Sequence, residues 1–284
     1  MNRFLFPILV SSALTLGATT HAADPLKVLL ITGGCCHDYA KQKDILKQGL
    51  EARANVVVEH IHSDDKGTKP PLPIYGNPDY AKGYDLVIHD ECSADIKDPA
   101  VIAAVLKPHQ DGVPGVNLHC AMHCYRFGNI GKPVAPGADN AAWFDYLGLQ
   151  STGHGPQEPI EISFVKEEAA NKGLGDWTTG KEELYNNIQI TTGKPLARGK
   201  QIVKNKKKQP DGTETVEEKS VETVVNWTNL YQGKTRVWST TIGHNNSTVE
   251  DARYLDMVAR GVLWAAGKLK DDGTPAAGYG PGGK

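Results

Sequence analysis

The chain has 284 residues, 39% of them hydrophobic and 23% charged, with a formal net charge of −2. That length is enough to bury the core of one large α/β domain. The near-balanced charge excludes the basic footprint of a nucleic-acid binder, and neither a polybasic stretch nor an acidic tail is present.

Met1-Asn2-Arg3 places one positive charge before an apolar run from Phe4 to about Leu16, and small residues close the segment at Thr20-His21-Ala22-Ala23. This is the layout of a secretory signal peptide over residues 1–22, cleaved near Ala22. The run has roughly 13 apolar residues, short of the ~20 that span a bilayer. The mature protein is therefore expected to be secreted or periplasmic, with no membrane attachment after cleavage. Five cysteines follow: Cys35, Cys36, Cys92, Cys120 and Cys124. An odd number in an oxidising compartment leaves at least one thiol unpaired within the chain. No CxxC pair supports a zinc ribbon. A disulfide between the Cys35–Cys36 region and the Cys120–Cys124 region is compatible with the sequence, which does not choose the pairing.

Leu26 to Thr32 is a near-continuous apolar run, as expected of a central parallel strand covered on both faces. Gly33-Gly34 allows a tight turn, and His37-Asp38 opens a helix to about Ala52. Asn55 to His60 reads as a second strand, the proline-rich Ser63 to Asn77 as a loop, and Tyr84 to Asp90 as a third strand. Asp98-Pro99 starts a helix, with proline just inside the first turn. Gly115 to Leu118 is a fourth strand that breaks at His119 into a helix-like pattern. Further strands are expected at Pro159 to Val165, Ile188 to Thr192, Val221 to Trp227 and Arg236 to Ile242. Lys204 to Lys208, with Asp211-Gly212 beyond it, reads as a charged hairpin tip. Glu250 to Lys268 is an amphipathic helix with Leu255, Val258, Val262 and Leu263 inward. This order predicts a doubly wound, mostly parallel α/β sheet with added β-strands in an insertion. One domain spans 24–270, and the Gly-rich segment 271–284 reads as a flexible tail.

A sharp strand-to-helix turn throws its point residue out at the carboxyl edge of such a sheet, and it needs small residues two positions either side. Centred on His119 those flanks are Asn117 and Ala121; centred on Cys120 they are Leu118 and Met122. Sterics put His119 at the point. His37, Asp90 and His244 also follow or end strands, so all four are expected at one edge, where these folds bind ligands. Imidazoles near neutral pH serve either as acid–base groups or as ligands of a divalent, zinc-like metal; the sequence leaves both open for His37, His119 and His244. His154, between glycines, is expected in a loop over that edge, and His123 at the surface or behind the site. His89 alternates away from Asp90 and reads as packing. Trp177, Tyr185, Trp227 and Trp238 can stack on a sugar face, against the plainer reading as core aromatics. Glu182 and Glu183 are the candidate carboxylates of the insertion, against the favoured plainer reading as a solvated charged face.

The chain resembles the ThuA-like (trehalose-utilisation) family from about Leu26 to Lys268. The resemblance rests on Val28 to Gly34 with His37-Asp38, Gly115-Val116-Asn117-Leu118-His119 and Gly153-His154-Gly155-Pro156. It continues through Trp177 with Glu183-Leu184-Tyr185, Thr240-Thr241-Ile242-Gly243-His244, and Gly261 to Gly267. It implies a flavodoxin-like sheet of the class I glutamine amidotransferase type. In that pattern His119 stands where those enzymes carry a cysteine nucleophile, and Asn246 stands where their acid would be. Glutamine amidotransferase activity is therefore not expected. The resemblance further implies a role in sugar catabolism, including routes through 3-keto glycosides. The resulting expectation is a carbohydrate-processing protein with catalytic His119, His244 and His37, and with His154, Asp90, Trp177 and Tyr185 toward a small carbohydrate substrate. The alternatives are a non-catalytic sugar-binding protein and a cysteine-dependent hydrolase.

Overall fold

The computed structural model describes residues 23–209 and 213–283. Residues 1–22, expected as a signal peptide, and Asp211-Gly212, expected as a hairpin turn, lie outside the described residues. Among those described, no helix is long and apolar enough to cross a membrane.

Among the described residues, nine strands form one mixed sheet in the order β2-β1-β3-β4-β9-β8-β7-β5-β6. The parallel half consists of β1 (Leu26–Gly34), β2 (Val56–Ser63), β3 (Leu86–Cys92), β4 (Gly115–Leu118) and β9 (Thr235–Thr240). Successive residues of β1 face opposite ways and feed two cores. Val28 and Leu30 pack toward α1 (Tyr39–Glu51) and α5 (Ala252–Ala265), through Leu46, Leu50, Val258 and Val262. Leu29 and Ile31 pack toward α2 (Pro99–Gln110) and α3 (Ala142–Leu147), through Ile102, Val105, Tyr146 and Leu147. Helices on both faces of a parallel sheet make the fold doubly wound and flavodoxin-like, as expected. At α2 the Asp98 side chain accepts from the N–H of Ala100 at 2.8 Å, and Pro99 follows where it costs no hydrogen bond.

The antiparallel half is larger than the sequence pattern suggested. β5 (Leu149–Phe164), β6 (Trp177–Ile190), β7 (Lys194–Lys208) and β8 (Glu214–Tyr231) are all long. β5 includes the Gly153-His154-Gly155-Pro156 segment expected as a loop. Its pairing with β6 shifts register between Ser151 and His154 and again between His154 and Gln157, so the chain bulges while staying in the sheet. β7 and β8 form the expected charged hairpin, with Lys208 opposite Glu214.

One expectation is corrected and one open question is answered. The segment from Asp271 is docked: Asn55 donates its Nδ2 to Gly278 O at 2.9 Å and its backbone N–H to Tyr279 O at 3.2 Å. Tyr279 packs on the core under the Lys268 ammonium, which lies 4.6 Å from its ring. One aromatic and a few main-chain bonds hold a segment whose own composition is too polar to fold alone. No disulfide joins the two cysteine regions: Cys35 pairs with its neighbour Cys36, and Cys92, Cys120 and Cys124 are buried free thiols.

Candidate active site

The parallel strands end at a common edge, and β1, β4 and β9 each lead to one histidine there. After β1, Gly33 and Gly34 have φ of +135° and +102°, and a Cβ on either would stand 2.6 Å from Ser63 O or 2.4 Å from Cys92 O. Only glycine fits both the conformation and the space, and the turn leads through Cys35-Cys36 to His37. At the end of β4, His119 has φ of +41°, an uncommon conformation for a side-chain-bearing residue. Its flanks are small and fixed: Asn117 Nδ2 donates to Ser239 Oγ at 3.1 Å, and Ala121 is fully buried, its carbonyl accepting from Trp143 Nε1 at 2.9 Å. The expected turn is thus present with His119 at its point, continuing as one 3-10 segment (His119–His123).

The histidines meet. Ring centroids of His37 and His119 are 4.7 Å apart, of His37 and His244 4.6 Å, and of His119 and His244 5.4 Å. One nitrogen of each lies within 4.8 Å of the others, so the trio could hold a metal ion. His119 Nδ1 is 2.6 Å from Thr241 O. A carbonyl only accepts, so Nδ1 donates there, and in the neutral ring it is Nε2 that carries the lone pair. That Nε2 lies 3.3 Å from His244 Nδ1 and 3.6 Å from Glu183 Oε2. His37 Nδ1 in turn faces His244 O at 3.4 Å.

Glu183, a candidate carboxylate for which the sequence favours a solvated face, joins the cluster instead. Its Oε1 is 3.4 Å from His244 Nδ1 and accepts from Gln157 Nε2 at 3.3 Å, while its Oε2 is 3.5 Å from His154 Nε2. Burial alone would push this carboxyl up, but His119 and His244 beside it hold it well below the usual carboxylate range. Glu182 is fully buried, and its carboxylate accepts from the backbone N–H groups of Gly243, His244 and Asn245 at 3.4, 3.1 and 3.3 Å. Neither is part of a solvated face. Adjacent residues on a strand point to opposite sides, and here one side meets the histidines and the other the loop that carries His244. The local sequence gave no such signal, because the partners come from β5 and the loop after β9.

The site splits the histidines electrostatically. Burial, then the neighbouring His119 and His244, lower His37 to about 2, so it stays neutral. His244 is pulled down by its partial burial, yet Glu183 outweighs this and leaves it above its ordinary value. His123 lies behind the site: it stacks on Tyr185 at 4.2 Å, and its Nε2 is 2.9 Å from Ser151 Oγ.

Of the other expected site residues, Tyr185 and His154 join the cluster. Tyr185 lies 5.0 Å from the His119 ring and 5.9 Å from that of His154. Asp90 and Trp177 do not touch it. Asp90 is buried with Oδ2 unpartnered, and burial, followed by neighbouring Glu91, raises its pKa well above the usual carboxylate value. Trp177 sits in the core at the start of β6, with the Arg253 guanidinium 4.7 Å over its ring. His89 packs as expected, fully buried among His109, Glu91 and Tyr75. Asn246 donates to Asp38 at 2.9 Å, away from the His244 ring. The carboxylate beside His244 therefore comes from β6 rather than from the position two residues after the histidine.

No curated protein matches the chain. Among solved structures, a crystal structure described as thua-like, from Bacteroides uniformis ATCC 8492, has a TM-score of 0.58 at 15% identity, covering 89% of this chain and 97% of its own. At that identity the likeness shows the fold alone. The family model for trehalose utilisation, ThuA, matches residues 27–265. This chain, with its histidines gathered at one sheet edge, belongs to the ThuA family.

Proposed function

We propose that the protein is an exported carbohydrate-processing enzyme acting on an oxidised sugar, a 3-keto glycoside, by histidine acid–base catalysis. The observation that carries this reading is the pairing of a lone-pair nitrogen, His119 Nε2, with an imidazole held toward its protonated form, His244, by Glu183. Groups whose environments separate their proton affinities divide into base and acid. A ketone at C3 acidifies the C2 hydrogen. His119 takes that proton, the enolate electrons expel the glycosidic oxygen from C1, and His244 returns a proton to the departing alkoxide. The products are an unsaturated keto sugar and the free alcohol. General acid–base assistance of this kind contributes ~10²–10⁴-fold.

A metal-assisted version has its own support. His119 and His37 each turn Nδ1 toward a backbone carbonyl, at 2.6 and 3.4 Å, the arrangement that commonly orients metal-ligating imidazoles. His37, His119 and His244 would hold a divalent, zinc-like ion, with Glu183 beside them. Such an ion would supply Lewis-acid polarisation of the sugar carbonyl. The cysteine-hydrolase alternative is weakened by Cys120, whose hydrogen bond with Cys92, together with burial, keeps its thiol protonated.

The test is incubation of the purified protein, with and without added zinc, with a panel of glucosides and their 3-keto derivatives, read by mass spectrometry. Loss of the aglycone from keto derivatives only, abolished in His119→Ala, is the expected result. Sugar binding without turnover, unchanged in His119→Ala, would favour the non-catalytic reading. Elemental analysis reads the metal: an equimolar signal lost in His37→Ala is expected, and its absence from chelator-free protein would remove the ion.

A further inference from the structure

Beside the histidine cluster a cavity of about 370 Å³ opens between β5–β6 and the β7–β8 hairpin, sharing His154 and Tyr185 with the site. Its walls carry two amides in an unusual state. Gln201, 1% exposed, gives both hydrogens of Nε2 to backbone carbonyls, Glu158 O at 2.9 Å and Glu182 O at 3.1 Å. That fixes the amide orientation, and its buried Oε1 has no donor. Asn187 is fixed in the same way, its Nδ2 donating to Val224 O at 2.7 Å while Oδ1 has no donor. Each of these unpaired acceptors forfeits its hydrogen bonds to water, and a hydroxyl of a ligand in the cavity would restore one.

The sequence keeps this wall open. A Cβ on Gly155 would stand 3.5 Å from Gln201 Oε1, so the glycine withholds the side chain that would cover it. Val203 and Val221 add apolar surface, and no lysine or arginine lines the cavity. The groups that complement it are hydroxyl donors on a ring with C–H faces. A phosphate or carboxylate finds no lysine or arginine to pair with and meets the acidic Glu222 in the lining. The volume lies at the low end of the ~300–1,000 Å³ usual for ligand pockets, room for one ring.

We infer that this cavity is the subsite for a second, neutral polyhydroxylated ring, with Gln201 and Asn187 as its specificity-determining residues. Resting on the proposed reaction, this ring is the leaving group expelled from the oxidised sugar at His119. The subsite selects glycosides of uncharged sugars and discriminates against phosphorylated ones.

Calorimetric titration of the full mature chain tests this without turnover, using methyl glucoside, a neutral glucosyl-glucose disaccharide and the disaccharide 6-phosphate as probes. The neutral disaccharide is expected to bind at least tenfold more tightly than methyl glucoside, and its phosphate at least tenfold more weakly than the neutral form. Gly155→Val, at a position where a Cβ meets only ordinary contacts, places methyl groups against Gln201 Oε1 and should erase the second-ring gain; a thermal melt establishes that the variant is folded. Equal binding of the phosphorylated and neutral disaccharides, no binding of either, or a gain that survives Gly155→Val would overturn the inference. Because binding is read directly, failure of the keto-sugar reaction in the mass-spectrometric assay leaves this result standing, and the reverse also holds.

Discussion

Glu183 Oε1 lies 3.4 Å from Nδ1 of His244, while the residue before it on β6, Glu182, accepts hydrogen bonds from the backbone on either side of that same histidine. Two consecutive carboxylates thus set both the position and the charge of one imidazole.

Replacing Glu183 by Gln removes the negative charge that raises His244 while keeping the shape. The His244 pKa should fall, and on the proposed acid role kcat should drop about 100-fold, the lower end of general acid contributions. An NMR titration of the His244 ring reads the first effect without any substrate. An unchanged midpoint would show that Glu183 does not set its charge.

Glu182→Ala leaves three backbone N–H groups of the 243–245 loop without their acceptor. Bonds to charged groups contribute about 1.5–3 kcal/mol each and do not simply add, so a loss of about 2–4 kcal/mol in urea unfolding is expected. Glu182→Gln, which keeps an accepting oxygen, should lose less than half of that.

Acid should destabilise the protein well before its carboxylates protonate. His37 is lowered to about 2 and His109 to about 3, in both cases mainly by burial and then by neighbouring histidines. Below pH 6.5 the unfolded chain binds protons at these positions and the native chain does not, so stability is lost as pH falls from 6.5 toward these values. At pH 5 the loss is about 2 kcal/mol per histidine relative to pH 7.5. His244, raised in the folded state, acts in the opposite sense: its contribution is full below pH 6.5 and fades as pH rises through its folded value. His123, depressed by burial, adds to the loss, while Asp90, raised by burial, acts in the same sense as His244; the three depressed imidazoles outweigh these two. Urea melts at pH 5.0 and 7.5 measure the difference, and equal midpoints would contradict it.

Thiol counting checks the cysteine arrangement. Native protein should react negligibly with an aromatic disulfide reagent, because Cys92, Cys120 and Cys124 are buried. Denaturation without reductant should release three thiols, and reduction all five, since Cys35 and Cys36 are paired. One thiol after denaturation would instead indicate a second disulfide.

Gly261 on α5 faces the indole of Trp238 on β9, where a Cβ would come within 2.4–2.8 Å of ring carbons. Gly261→Ala gains helix propensity but overpacks this contact, and overpacking costs about 1–3 kcal/mol. A lowered melting temperature is expected; an unchanged one would mean that the helix shifts freely on the sheet.

Much of the parallel half was legible in the sequence because its signals are local. Apolar runs such as Leu26 to Thr32 can only be covered strands, Asp98-Pro99 can open a helix, and the small flanks at Asn117 and Ala121 select His119 over Cys120 as the point of the turn. The antiparallel wing was harder: Gly153-His154-Gly155-Pro156 has the composition of a loop, and only bulged pairing with β6 keeps it in the sheet. The tail from Asp271 reads as too polar to fold because its stabilising partner, Asn55, is far away in sequence.

By itself, then, the sequence determined the class of sheet and which side chains its edge presents, since strand periodicity and turn sterics act over a few residues. Tertiary structure alone decided that Glu183 would meet those imidazoles, that Asp90 and Trp177 would not, and that Cys35 would pair with its neighbour. Those outcomes depend on distances between segments scores of residues apart, and no local pattern encodes them.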